Sequence, residues 1–402
     1  MRRLAAPLAL AAALAMTVLP GSAASAAPAG DAGRADPVRF ATYNASLNRG
    51  AAGQLVADLS TPGNAQAGAV AEVIQRTRPD VVLINEFDYD AGNVALRLFQ
   101  SNYLAVSRNG STPIDYPYAY TAPSNTGIPS GLDLNNDGTV GGPDDAYGFG
   151  FFPGQFGMAV YSKFPIDYDA IRPFQLFRWA DMPGALIPPG WFTPQELATV
   201  RLSSKSHWDV PIEIGRKTVH FLVSHPTPPV FDGPEDRNGR RNFDEIRLWA
   251  DYVSPGRAGY LYDDEGQRGG LKPGSLFVIA GDQNSDPNDG DSIPGAAQQL
   301  LEHPLVNTSV TPSSAGAVEQ AALQGGVNLT HRTPARFDTA DFAEPPGNLR
   351  VDYVLPRKSL RIAAAGVFWP TTDDPLFRLV GVFPFPTSDH KLVWVDVRVP
   401  GA

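Results

Sequence analysis

Ser275-Leu276-Phe277-Val278-Ile279-Ala280-Gly281-Asp282-Gln283-Asn284 opens as an apolar run and closes on a glycine, an acid and an amide. A short, continuous apolar run stopped by glycine reads as a buried strand. Its polar residues then sit at the tip, where a rigid scaffold presents them. The same arrangement recurs outward from this stretch. Val81-Val82-Leu83-Ile84 leads into Asn85-Glu86, and Val38-Arg39-Phe40-Ala41-Thr42-Tyr43 leads into Asn44. Residues 218–224 read as a strand ending beside His225, paired with residues 210–214 across the turn Gly215-Arg216-Lys217. Gly157-Met158-Ala159-Val160-Tyr161-Ser162 is another strand. Residues 351–355 and 391–399 complete the set, flanked by Asp352 and by Ser388-Asp389-His390.

Helical spacing separates these strands. Val70, Val73 and Ile74 share one face of residues 67–75, and Pro79 closes that helix. Phe243, Ile246, Trp249, Ala250 and Val253 form one stripe along residues 242–253. This mixed order predicts an α/β sandwich of two mixed β-sheets flanked by helices. With 39 Gly and 38 Pro, long loops are expected. Residues of about 102–155 lack any period and read as an insertion. Residues 164–200 read similarly.

The first residues read as a secretory signal peptide, 1–26. Arg2 and Arg3 precede an apolar stretch at residues 4–19, and Ala24-Ser25-Ala26 supplies small residues for cleavage. A flexible segment is expected at residues 27–36 and one catalytic domain at residues 37–402, with no membrane span. Cysteine is absent, so the core must hold the fold without disulfides. Removing residues 1–26 takes away two Arg and no acid. The 32 basic residues become 30 against 42 acidic ones, and the formal charge moves from -10 to -12. Such a surface disfavours strong non-specific binding to polyanions.

The tips carry Asn44, Glu86, His225, Asp282 with Asn284, Asp352, and Asp389 with His390. None is informative alone. Together they are the inventory that hydrolysis of a phosphate ester with a hard metal ion needs. Glu86 is a hard oxygen donor after a buried strand, with Asn44 beside it, which suits Mg²⁺ or Mn²⁺. Asp282 and Asn284 face one site if their segment is extended. His390 can donate to non-bridging oxygens as charge builds, with Asp352 fixing its ring.

From residue 38 to residue 399, the ordered set resembles the endonuclease/exonuclease/phosphatase superfamily. That group includes pancreatic-type deoxyribonucleases, abasic-site endonucleases, neutral sphingomyelinases and inositol-polyphosphate phosphatases. Gly281-Asp282-Gln283-Asn284 and Ser388-Asp389-His390 carry the likeness most specifically. The resemblance implies a four-layer α/β sandwich with long loop insertions and metal-dependent phosphoester cleavage. It implies that Asp282 orients and deprotonates the attacking water, that His225 donates to phosphate or acts as leaving-group acid, and that Asp389 is a further metal contact. The chain departs from the family pattern at Asn85, where Gln is usual, and at Gln283, where an aromatic is usual. The acid that often supports the first histidine is not located by any motif in the sequence.

Other signals lie outside this set. Asp133-Leu134-Asn135-Asn136-Asp137-Gly138-Thr139-Val140 reproduces the first half of a calcium loop, with Asp133, Asn135, Asp137 and Thr139 as donors and Asp144 at position twelve. A structural Ca²⁺ that orders the insertion is the expectation. Lys205-Ser206-His207-Trp208-Asp209 reads as a hairpin edge or as a source of a cation and an aromatic for the pocket. Arg237, Arg240 and Arg241 read as phosphate ligands or as a solvated helix start. Tyr147-Gly148-Phe149-Gly150-Phe151-Phe152 is expected to pack the insertion, and His207, His220, His303 and His331 to be structural or surface residues. The sequence thus leads to a secreted, monomeric phosphodiesterase or phosphatase using an Asp-activated water for in-line attack. The acidic balance favours small or lipid-derived phosphate esters. A secreted sugar-non-specific nuclease is the alternative, and a non-catalytic calcium-dependent binding module on the same fold the second.

Overall fold

The computed structural model describes residues 36–401. The expected signal peptide, and all but the last residue of the 27–36 segment, lie outside the described residues. The strands are β1 (Val38–Asn44), β2 (Val81–Asn85), β3 (Tyr118–Tyr120), β4 (Met158–Ser162), β5 (Arg172–Pro173), β6 (His207–Ile214), β7 (Lys217–Ser224), β8 (Leu276–Asp282), β9 (Ala340–Asp341), β10 (Asn348–Leu349), β11 (Asp352–Pro356), β12 (Arg361–Val367) and β13 (Val393–Arg398). They build a six-stranded sheet, β12-β13-β1-β2-β4-β3, and a five-stranded sheet, β11-β8-β7-β6-β5, with β9 and β10 forming a separate ladder.

Alternation along each strand explains the layers. Side chains two apart share a face of a strand. Phe40, Leu83, Phe221 and Val278 point inward and meet between the sheets. Their neighbours Ala41, Val82 and Ile84 point outward, onto α1 (Gln54–Leu59), α2 (Ala65–Thr77) and α3 (Val94–Phe99). Leu222, Phe277 and Ile279 do the same on the second sheet, against Ile246 and Trp249. Those two belong to the amphipathic α5 (Arg237–Val253), which follows the single-turn α4 (Pro194–Leu197). Helix, sheet, sheet and helix make the expected four-layer sandwich. Among the described residues no helix is long and apolar enough to cross a membrane. Phe221→Ala removes a buried ring whose centroid lies 5.5 Å from that of Phe40 at the centre. It should cost about 3–5 kcal/mol, seen as a lower denaturant midpoint with an unchanged slope.

Some boundaries differ from the sequence reading. Part of the expected insertion belongs to the core. Tyr103, Leu104, Ile114 and Tyr116 are buried against the first sheet, and β3 pairs with β4. Pro117 and Pro123 bracket β3 and mask its strand character. Strand β12 is an edge strand, exposed or half-buried over most of its length, and its run of alanine and glycine carries little strand propensity. Helix α5 starts at Arg237, ahead of its apolar stripe.

Candidate active site

The parallel strands β1 and β2 end together, with Asn44 opposite Asn85. In the second sheet β7 and β8 are also parallel and end at the same edge. Antiparallel β11 begins there, and its first residue Asp352 pairs with Asp282, the last of β8. Antiparallel β13 begins there too, just after His390. One edge of the sandwich therefore collects every tip. Asn85 stitches the two sheets across it. Its Oδ1 accepts from Thr42 Oγ1 at 3.2 Å and from Asp282 N at 3.3 Å. Gly281 is required beside Asp282, because a Cβ there would overlap the carbonyl oxygen of Ser224.

Asp282 is the hub. Its Oδ1 accepts from the backbone N–H of Asn284 at 2.8 Å, and its Oδ2 accepts from Asn44 Nδ2 at 3.1 Å. The same Oδ2 lies 3.4 Å from His225 Nε2 and 3.6 Å from His390 Nε2. Asn44 Nδ2 also donates to Glu86 Oε1 at 3.0 Å, so one amide bridges two carboxylates. Asn48 Nδ2 donates to Glu86 Oε2 at 2.7 Å. Glu86 has φ 58, in the left-handed region that such residues rarely adopt. Strain of this kind persists where neighbours over-determine it and clusters at working sites. His390 Nδ1 donates to Asp352 Oδ2 at 2.9 Å, and Thr339 Oγ1 donates to the same oxygen at 2.8 Å. Lys391 Nζ donates to the carbonyls of Ser388 and Asp389 and so locks the loop that carries His390.

The electrostatics follow from burial and contact. Burial opposes the charge of Asp282, but His390, His225 and Asn44 outweigh it and hold the carboxyl well below the usual range. Burial likewise opposes a charged His390, yet Asp352 and Asp282 raise it well above an ordinary histidine. His225 goes the other way. Burial, then the charge of Lys205, push it down. Its Nδ1 is buried without a partner among the described residues, in keeping with the missing supporting acid. The site thus holds an anionic Asp282, a cationic His390 and a neutral His225.

Several expectations change. The segment after Asp282 is not extended. Strand β8 stops there and Asn284 turns left-handed at φ 51, with its Nδ2 donating to Pro226 O at 3.1 Å. Asn284 nonetheless lines the same cavity as Asp282. Asn44 offers the carboxylates its nitrogen, because its Oδ1 accepts from Ser46 N at 3.2 Å. In this arrangement its amide bridges Glu86 and Asp282. Residues 133–139 form a loop closed by its own hydrogen bonds. The Asp133 carboxylate accepts from Asp137 N and Gly138 N, and Asp137 from Asn135 Nδ2 and Thr139 N. Asp144 lies 3.7 Å from Arg237, and Asp145 ties the loop back through Leu134 N and Gly141 N. Arg237, Arg240 and Arg241 donate to the carbonyls of Leu134, Glu235 and Leu202, so their guanidinium groups already have backbone partners. Phe149 and Phe151 are 49% and 69% exposed, and Phe149 lines the cavity, whereas Tyr147 and Phe152 are half-buried and Tyr147 packs under Arg201. His331 lines the cavity, whereas His207, His220 and His303 hydrogen-bond to Ser203, Asp209 and Ser254. Asn48, Asp88 and Thr339 support the site without having been singled out. Asp88 alternates with Glu86 beyond β2, and its carboxylate accepts from Arg49 N and Phe156 N.

The cavity at this edge has a volume of about 1410 Å³, and Glu86, Asp282, Asp389 and His390 share it with several phenylalanines. Asp282, Asp352 and His390 have ligand atoms within 4.8 Å of one another. That group could hold a cation, and Glu86 adds a hard oxygen donor in the same cavity.

A model of the Endonuclease/Exonuclease/phosphatase family matches residues 41–390. No curated protein matches the chain. Among solved structures, an endonuclease/exonuclease/phosphatase from Beutenbergia cavernae DSM 12333 is similar at 17% identity and TM-score 0.50, over 91% of this chain and 72% of that one. A family protein from Leptotrichia buccalis C-1013-b shares 14% identity at TM-score 0.46, over 90% of this chain and 100% of that one. Sphingomyelinase C from Streptomyces griseocarneus shares 14% identity at TM-score 0.43, over 90% and 99%.

Proposed function

The chain belongs to the endonuclease/exonuclease/phosphatase family, and from that premise we propose that it is an exported, divalent-metal-dependent phosphoester hydrolase whose substrates are amphiphiles. One observation carries the substrate class. Phe149, Phe156, Phe192, Phe231 and Phe342 line the same cavity as Glu86, Asp282 and His390. Phosphate recognition alone needs no aromatic arm, and an apolar arm joined to a few convergent polar groups suits a lipid-derived ester. Phe231 is 85% exposed at the mouth. Duplex DNA would need a row of cations along a groove, whereas this lining sets Asp144, Asp286, Asp289 and Asp291 beside Arg237 and Arg241. Export rests on residues 1–26, and the mature N-terminus from culture medium should begin at Ala27.

The donor set fits a hard ion. Glu86 offers only oxygen, one bridging amide away from Asp282, and would hold the ion with Asp389 as a second oxygen donor. When bound, Mg²⁺ or Mn²⁺ supplies positive charge against the phosphoryl oxygens. The chain does the rest. Asp282 takes a proton from the attacking water, its two oxygens oriented by Asn284 N–H and Asn44. His390 donates to the non-bridging oxygens, with Asp352 fixing its ring and charge. Asn284 and neutral His225 add uncharged donors. Apolar walls exclude water from the leaving group's side.

Phosphate esters of increasing chain length, assayed beside plasmid DNA, test this reading. Each added methylene should raise kcat/KM by up to about fourfold until the arm is filled. Activity should vanish on chelation and return with Mg²⁺ or Mn²⁺. Turnover of plasmid that matches or exceeds that of the long-chain esters would favour the nuclease reading instead.

A further inference from the structure

Lys205-Ser206-His207-Trp208-Asp209 separates into different environments. Trp208 enters the core between the sheets. The His207 ring bonds Ser203 Oγ and Glu245 O. Lys205 lines the active-site cavity, as do Glu86, His225 and Asp282. Lys205 is only 6% exposed. Among the described residues its ammonium donates no hydrogen bond and forms no ion pair.

That state is unusual. Lysine is almost never buried without a partner, yet here the stem is buried and Nζ opens onto the cavity, with Glu245, Glu86 and Asp282 acting on it only from a distance. A mobile loop would let such a side chain swing out to bulk water. This loop is pinned. Glu245 on α5 accepts from Ser204 N at 2.6 Å through one oxygen and from Thr227 N at 2.6 Å through the other. Asn125 N donates to Lys205 O at 2.8 Å. Gly148 packs so closely that a Cβ would overlap Ser204 O. The fold therefore fixes a bare cation in the catalytic cavity, on the side where His225 lacks a supporting acid.

We propose that Lys205 binds the non-bridging oxygens of the substrate phosphoryl group, as a substrate-contacting cation that the arriving anion completes. The inference rests on the phosphoesterase reading and adds a specific residue to it. Burial pulls the ammonium below the usual lysine range, while Glu245, Glu86 and Asp282 lie near enough to favour its charged form. A phosphoryl group held between Lys205 and His390 meets positive charge from two sides. Neither cation needs to move as charge shifts during in-line displacement, which is the condition for preorganised stabilisation.

Lys205→Met and Lys205→Gln, each assayed with inorganic phosphate as competitive inhibitor, test the proposal. Both should lower kcat/KM by about 10²-fold and weaken phosphate inhibition in parallel. Thermal unfolding of Lys205→Met should be little changed, since Nζ makes no hydrogen bond or ion pair among the described residues and the burial that opposes its charge is offset by distant carboxylates. Lys205→Arg should recover part of the phosphate affinity. Wild-type kcat/KM and wild-type phosphate inhibition in both neutral variants, with Asp282→Asn inactive, overturn the role of Lys205 alone. Activity lost only together with a lowered melting temperature, and phosphate inhibition intact, also overturns it, as the mark of a structural lysine. An active Asp282→Asn overturns the wider reading.

Discussion

Asp282→Asn should lower kcat/KM by about 10³- to 10⁴-fold and leave the far-UV circular dichroism spectrum unchanged. The amide keeps the shape of the carboxylate and can still accept from Asn284 N–H, so β8 and its pairing with β11 have no reason to change. Two functions disappear together. No group remains at that position to take the proton from water, and the anion that faces His390 and His225 is gone. The effect should be in kcat more than in KM, because the lost interactions are made with the attacking water and the developing charge. Because Asp282 is held well below the usual carboxylate range, lowering the pH of the wild-type protein should not reproduce the variant until strongly acid conditions. Retained turnover in Asp282→Asn would remove the hub from the mechanism.

Strand tips make this site legible in the sequence itself. Glu86, His225 and Asp282 each follow an apolar run that identifies a buried strand, and two parallel pairs must deliver their ends to the same edge. The supporting residues carry no such local signature. Glu245 lies on a helix face and reaches Ser204, 41 positions away in sequence. Thr339 belongs to an irregular segment and acts only because Asp352 arrives beside it. Lys205 could be suspected as a pocket cation, but its lack of a partner is a property of the packed molecule. The two departures from the family pattern also gain meaning only in three dimensions. Asn85 bridges the sheets, and Gln283 donates to Ser224 Oγ from a buried position. Loops resisted reading for a related reason. Where proline and glycine replace periodicity, as around β3, nothing in the pattern distinguishes a core edge strand from an excursion.

Asp352→Asn should produce a pH-dependent defect, with kcat/KM down by about 10²- to 10³-fold at mildly alkaline pH and recovering as the pH falls. The asparagine oxygen can still accept from His390 Nδ1, so the ring stays oriented and only a charge is removed. In the native site burial opposes the His390 charge, but Asp352 and Asp282 outweigh it and keep the ring protonated well above its ordinary value of 6.5. Without Asp352 the burial effect gains ground and the imidazole loses its proton nearer neutrality. A neutral ring then meets the phosphoryl oxygens, and acid restores the cation. Stability should follow the same logic. A histidine whose folded value is raised contributes stability that is present below the unfolded value and lost as pH rises through the folded one. The His390 contribution to the melting temperature should therefore be lost only at alkaline pH. The gap between wild type and Asp352→Asn should be widest near neutral pH, where Asp352 is ionised and His390 charged, and should close in acid as Asp352, pushed up to about 6, takes its proton. Opposing this, Asp352 is itself pushed up by burial and by the Asp282 charge, so removing its carboxylate also relieves some repulsion and moderates the stability difference. The kinetic profile is free of that offset, because turnover depends on the charge of His390 in the working site. Profiles of wild type and variant that run parallel across the whole pH range would mean that Asp352 only orients the ring, and that the protonation of His390 is set elsewhere.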